Sequence, residues 1–312
     1  MSSSSDAAPR LTRSRVAALA AAQVVPTEPG TDPKTSGKVS GIVQLPRDLT
    51  RAHTGLRTSD HALLRKKQAW LSHNHHHHDA ASIPQLQQLQ LQAGFVRHQA
   101  AVEAALVFGQ EEAGTAVCVA DEGLLLTCSH CCVDEEGNRP GPATLHWLIF
   151  ASGRVVGARC IAWDERRDLA LLRIAKAQQG QSAADSRFPA VKVATGPIAV
   201  GAKMVCIGHP GSEDLEAEEA GVKTGYDVLH ASTGRFRGLA EGQDVQDNSE
   251  IGALMHDCWT YWGHSGAPLL AATTGLLVGL HSSWDDQTAM RRGVALEAIK
   301  EFLKEHGFAH LV

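Results

Sequence analysis

Beyond residue 95 the apolar positions come in short runs separated by turn residues. Ala104–Phe108, Ala116–Val119, Leu124–Thr127, Leu145–Phe150, Leu169–Ile174, Met204–Ile207, Leu269–Ala272 and Leu276–His281 each hold four to six residues, mostly Leu, Val, Ile and Ala. Runs of this length between Gly, Pro, Asp and Asn read as strands, and their regular return predicts an all-β sandwich or barrel. A different period closes the chain. Leu296, Ile299, Phe302 and Leu303 recur at helical spacing ahead of Gly307, which predicts a C-terminal helix with a glycine cap. Residues 1–94 show no comparable order: Met1 to about Lys38 is rich in Ser, Ala, Pro and Gly and reads as disordered. Within this arm only Gln85–Gln92, with Leu86, Leu89 and Leu91, is expected to form a short helix. The expected organisation is an arm over 1–94 and an all-β domain over 95–312.

Composition narrows the class. With 312 residues, 43% of them hydrophobic, the chain can bury a sizeable core. The 29 basic and 34 acidic residues divide unevenly, 11 and 6 within residues 1–90 against 18 and 28 beyond, so the β domain is acidic and a poor partner for nucleic acid. The arm is basic but lacks the interleaved aromatics of a single-strand binder, and its charge reads as a solvated tail. No stretch reaches the length of a membrane span. Arg10, Arg13 and Arg15 before Val16–Ala22 resemble the start of a signal peptide or a mitochondrial presequence without choosing between them. All seven cysteines fall between Cys118 and Cys258, several inside apolar runs, which predicts reduced, buried thiols in an intracellular protein, in the cytoplasm, nucleus or mitochondrion. The run Ser72–His78 reads as a polar linker that chelates metals only adventitiously.

Candidate chemistry lies at three places. Ser265, between Gly263-His264 and Gly266, is a nucleophile candidate; His130, closing Leu124–Thr127 and Cys128-Ser129, is its base; Asp168, at the mouth of Leu169–Ile174, is the carboxylate that orients the base. A serine hydroxyl needs a base to take its proton, and the order His, Asp, Ser is the trypsin-like one. The oxyanion of a tetrahedral intermediate needs preorganised backbone donors, which assigns that hole to the N–H groups of Gly263 and Ser265. Cys128, His130, Cys131 and Cys132 lack the paired spacing of a zinc site and as strand neighbours would point to opposite faces, so neither metal nor cofactor is expected.

The run from Gly114 to His130, Asp164–Ile174, Gly201–Gly211 and the segment around Ser265 together resemble the HtrA/Deg branch of trypsin-like serine peptidases. The resemblance spans about residues 95–306. It implies two six-stranded β-barrels of the chymotrypsin type, a C-terminal helix lying against the second barrel, and an endopeptidase acting on protein or peptide substrates. It also implies departures. Thr115 stands where secreted relatives carry the disulfide partner of Cys131, so that bridge is expected to be absent. His264 stands where zymogens carry an aspartate, so activation by cleavage is not implied. Ala267 replaces a glycine, and no PDZ module is expected after the last helix. The primary specificity pocket is placed at Trp259, with Ser282, Ser283, Trp284 and Gly293 as walls; with no acid at its base, it is expected to take small or medium apolar side chains. Oligomeric state is not legible.

Two other readings compete. An α/β-hydrolase esterase would order Ser265, Asp285 and His306, but its nucleophile elbow joins a strand to a helix, whereas strand-like sequence resumes at Leu269. A catalytically silent trypsin-like binding module would keep the fold without the reaction, and the intact trio argues against it.

Overall fold

The computed structural model describes residues 41–76, 96–109, 114–134, 137–179, 187–219 and 221–312. Thirteen strands and four helices order as β1 (Val43–Leu45), α1 (Arg51–Thr54), α2 (Thr58–His76), α3 (Val96–Ala104), β2 (Ala105–Phe108), β3 (Thr115–Ala120), β4 (Leu124–Thr127), β5 (His146–Phe150), β6 (Val155–Asp164), β7 (Leu169–Gln178), β8 (Lys203–Gly208), β9 (His230–Leu239), β10 (Leu254–His256), β11 (Pro268–Ala271), β12 (Leu277–Trp284), β13 (Arg291–Ala295) and α4 (Leu296–Glu305) among the described residues. They form two closed six-stranded antiparallel barrels. In the first, β7-β4-β3-β2-β5-β6 closes through β6 and β7; in the second, β10-β13-β12-β11-β8-β9 closes on itself. Closure removes the unpaired edges that an open sheet would expose.

The leucine-rich runs form strands because both of their faces are covered. Leu124, Leu125 and Leu126 of β4 and Leu169, Leu171 and Leu172 of β7 have no exposed surface, one face filling the barrel and the other lying under neighbouring elements. Four strands that the apolar pattern did not single out complete the barrels: β6, β9, β10 and β13. β9 alternates buried Phe236 and Gly238 with exposed Arg235, Arg237 and Leu239, so its mean composition is too polar to stand out. The C-terminal helix is α4, which buries Leu296, Ile299, Phe302 and Leu303. Gly307 follows it at φ 86°, where only glycine is unstrained.

Contacts group Gly41–Val312 as one compact unit, so described residues ahead of the expected boundary at 95 pack with the barrels. β1 adds in parallel to β7, pairing Val43 with Lys176 and Leu45 with Gln178. α2 lies against β5 and buries Leu64 and Leu71 in the same core as the barrel, together with Leu45 and Leu49. The polar side of this packing is equally specific. Trp147 Nε1 donates to Thr54 O (3.0 Å), Gln68 Nε2 donates to Gly153 O (2.9 Å) and Gln178 Oε1 (2.8 Å), and buried Lys67 donates from Nζ to Phe108 O (3.1 Å). At Gly153 (φ 84°) a Cβ would collide with Ser72 of α2. The signal was missed because α2 buries two leucines a heptad apart with a lysine between them, a face too polar to read as core. The stretch Ser72–His76 ends this helix rather than forming a linker. The helix expected over Gln85–Gln92 lies outside the described residues.

Candidate active site

β4 ends in a 3-10 turn over Ser129–Cys132, and this turn carries His130. Cys128, His130, Cys131 and Cys132 are therefore not strand neighbours on alternating faces, the geometry expected from sequence. Asp168 closes the turn before β7 with φ 54°, a left-handed conformation that Asp tolerates better than most residues at a cost of about 1 kcal/mol. Its amide donates to Glu165 O (3.2 Å). That turn drives the carboxylate inward until it has no exposed surface. Three donors converge on Oδ1: Ser129 Oγ (3.0 Å), the His130 amide (3.3 Å) and His130 Nδ1 (2.9 Å). They offset the loss of water around a buried anion. Trp163 Nε1 of β6 donates to Ser129 O (3.0 Å) and fixes the turn from behind.

Ser265 precedes β11, across the seam between the barrels. The turn around it is tied to the first barrel by Thr115, whose amide donates to Ser265 O (2.8 Å), and by Cys131 Sγ, which donates to the same carbonyl (3.6 Å). Cys128 Sγ donates to His281 O of β12 (3.5 Å), so both cysteines flanking His130 reach the second barrel. Ser265 Oγ donates to Ser282 O (3.3 Å). Two peptide planes in the turn are set by their carbonyls. Trp262 O accepts from Gly211 N (2.6 Å) and His264 O accepts from Ala267 N (2.7 Å). In a trans peptide N–H and C=O point in opposite directions, so the amides of Gly263 and Ser265 are turned away from those partners. Gly263 sits at φ 95°, and a Cβ there would collide with His209 O.

Beneath this turn is a layer of histidines. His209, His256, His264 and His281 are buried; His256 Nε2 and His281 Nδ1 are 3.1 Å apart, and the His264 ring stands edge-on to His281 with centroids 6.4 Å apart. Burial, reinforced by neighbouring histidines or cations, pushes His209, His264 and His281 well below the ordinary imidazole value and His256 to about 3. Burial likewise lifts the thiols of Cys118 and Cys258 to about 12, and among the described residues no cysteine is in a disulfide. Cys128, His130 and Asp168 offer donor atoms within 4.8 Å of one another, the group among the described residues that could hold a metal ion.

The residues placed in the specificity pocket are grouped by the structure in two ways. Ser282, Ser283 and Gly293 meet at the β12–β13 pairing, where Ser283 Oγ accepts from Gly252 N (3.3 Å) and Gly293 backs onto Gly252. Trp259 and Trp284 belong to separate aromatic sets. Trp259 stands edge-on to Tyr226 (5.1 Å between centroids), His230 (4.6 Å) and His264 (5.5 Å), whereas Trp284 stands edge-on to Trp262 (5.3 Å), which is 38% exposed. Asp285 caps its own turn through the amides of Gln287 and Thr288, and His306 lies at the end of α4 against Phe302, so neither is brought to Ser265 as an esterase would require. Sequence reasoning missed Ser129, Thr115, Trp163 and the histidine layer. Ser129 adjoins His130 and could have been found; the histidines are single residues, His209 and His264 in glycine turns and His256 and His281 in strands, and nothing local joins them.

Two antiparallel barrels with serine, histidine and aspartate at their seam define the class of trypsin-like serine peptidases. The family model described as a trypsin-like peptidase domain matches residues 114–280, and the chain belongs to that family. Among solved structures it is similar to the HtrA-type protease AlgW with a decapeptide (20% identity, 62% of this chain and 52% of that one, TM-score 0.43). It is also similar to an inactive, substituted form of Rv3671c from M. tuberculosis H37Rv (16%, 69% and 92%, 0.48) and to the serine endoprotease from Yersinia pestis (17%, 69% and 65%, 0.48). The chain therefore spans about half the length of the first of these. No curated protein matches it significantly. Among the described residues no helix is long and apolar enough to cross a membrane.

Proposed function

We propose that this chain is a serine endopeptidase that cleaves protein or peptide substrates through an acyl-enzyme on Ser265. The observation that carries the reading is the buried Asp168 carboxylate holding His130 Nδ1 at 2.9 Å. With Nδ1 donating to Asp168, the other ring nitrogen, Nε2, carries the lone pair that acts as the base. The Ser265 hydroxyl rotates from Ser282 O toward that nitrogen, gives up its proton and attacks the scissile carbonyl. The Gly263 and Ser265 amides then receive the oxyanion, and His130 returns the proton to the leaving amine. Water, activated by the same base, releases the acyl group. These side chains and amides account for every proton and acyl transfer, so the reading assigns no step to a metal or cofactor. This division of labour follows the general serine-peptidase template.

The pocket reading is that Trp259, Ser282, Ser283, Trp284 and Gly293 select small or medium apolar side chains before the scissile bond. Reduced, buried thiols support an intracellular site of action. Labelling of the full chain with a fluorophosphonate probe, with Ser265→Ala and His130→Ala as controls, tests the chemistry: a folded wild type that takes no label would leave a binding module. A cleavage profile over a peptide library tests the pocket, and dominance of Lys or Arg before the cut would refute it.

A further inference from the structure

Thr115 uses all its polar atoms, although its side chain is wholly buried and has no part in the proton transfers above. Its carbonyl accepts from Thr127 Oγ1 (2.7 Å) and its amide donates to Ser265 O (2.8 Å). The hydroxyl works in both directions. Oγ1 accepts from the His209 amide (2.9 Å) and donates to Gly263 O (3.0 Å). The first barrel thus reaches across the seam to the carbonyl of the residue whose amide is assigned to the oxyanion.

That carbonyl matters because Gly263 has no side chain to hold its backbone. The peptide before it is fixed by Gly211 N on Trp262 O (2.6 Å), and the peptide after it is fixed by Thr115 Oγ1 on Gly263 O. With both planes anchored, the glycine stays at φ 95° with its N–H turned away from Gly211. Removing the second anchor frees a residue with no Cβ to rotate, and it strands the buried His209 N and the half-buried Gly263 O. His209 N belongs to the same β8 turn that supplies Gly211, so one hydroxyl aligns both sides of the loop.

We propose that Thr115 is a positioning residue for the reaction, its hydroxyl locking the Gly263 amide in the orientation that binds the oxyanion. The proposal rests on the peptidase reading of Ser265. It does not touch ground-state binding of the peptide, because the amide takes up charge only as the tetrahedral species forms.

The test compares full-length wild type, Thr115→Val, Thr115→Cys and Thr115→Ser. The assays are hydrolysis of a peptide anilide, inhibition by a peptide aldehyde that forms a tetrahedral adduct on Ser265, and thermal melting. Thr115→Val should lower kcat about tenfold to a hundredfold with KM within about twofold, and the aldehyde Ki should rise by the same factor. Thr115→Cys, which loses the γ-methyl but keeps a weak S–H donor at the same place, should fall between, and Thr115→Ser should restore wild-type kcat and Ki. A merely structural role would lower melting without this matched change in kcat and Ki. If Thr115→Val does not fold, Thr115→Cys decides. A folded Val or Cys variant with kcat within about twofold of wild type overturns the proposal, as does a loss of kcat with unchanged aldehyde affinity. A wild type without activity or probe labelling would instead overturn the peptidase reading, and this proposal with it.

Discussion

The histidine layer beneath Ser265 should make the fold sensitive to mild acid. His209, His256, His264 and His281 are buried and held neutral, with values depressed from 6.5 mainly by burial, His256 to about 3. The unfolded chain binds a proton at each of these positions as pH drops through about 6.5, whereas the folded chain does not. Stability is therefore fully present above that value and is lost as pH falls below it. For His256 the loss at pH 5 is about 2 kcal/mol, since 1.5 pH units separate that pH from the unfolded value and each unit is worth about 1.4 kcal/mol. His209, His264 and His281, depressed in the same direction, add to this loss. His256 alone gives a slope of about 1.4 kcal/mol per pH unit between pH 6 and 5, and the other three histidines steepen it. Urea unfolding of the full chain at pH 8 to 5, followed by tryptophan fluorescence, measures it. His256→Gln should remove about one proton from the slope. A stability unchanged between pH 7.5 and 5 would refute the reasoning, as would a His256→Gln slope identical to wild type.

A chain beginning near Gly94 should not fold independently, because it lacks β1 and α2 and uncovers core that Leu45, Leu49, Leu64 and Leu71 otherwise protect. At about 1.5–3 kcal/mol per buried leucine the four come to about 6–12 kcal/mol, comparable to a whole domain's margin of stability, and a truncated chain melting like the full one would show otherwise. Asp168→Asn should lower kcat by about 10⁴, a magnitude taken from the serine-peptidase template, with little change in melting because Asn also tolerates φ 54°; retained turnover on a peptide anilide would sink the role. Gly263→Ala should abolish probe labelling and cost about 1–3 kcal/mol through its positive φ and the clash with His209 O, which labelling and melting measure together.

The barrel strands legible in sequence were those covered on both faces, such as β4 and β7, where Leu and Ala follow one another without interruption. β6 and β9 were not, because strands partly open to solvent mix Arg, Gly and Ser with their apolar positions and lose contrast; β10 has only three residues, and β13 opens on Arg291, Arg292 and Gly293. For the site, local sequence marked His130, Asp168 and Ser265 through turn glycines, strand mouths and their order. It could not say that a lysine-bearing helix from an apparent tail covers the first barrel, because Lys67 is satisfied by Phe108 O and Gln68 by Gly153 and Gln178, partners 41 to 110 residues away. Nor could it reveal that four separate histidines form one buried layer. Sequence by itself determined the all-β class and the closing helix and marked the side chains proposed to react, since those follow from periodicity and residue chemistry within short windows. Tertiary structure alone decided the packing of β1 and α2 on the first barrel, the double use of the Thr115 hydroxyl and the neutral histidines under Ser265, because each depends on which distant backbone groups meet when the two barrels close.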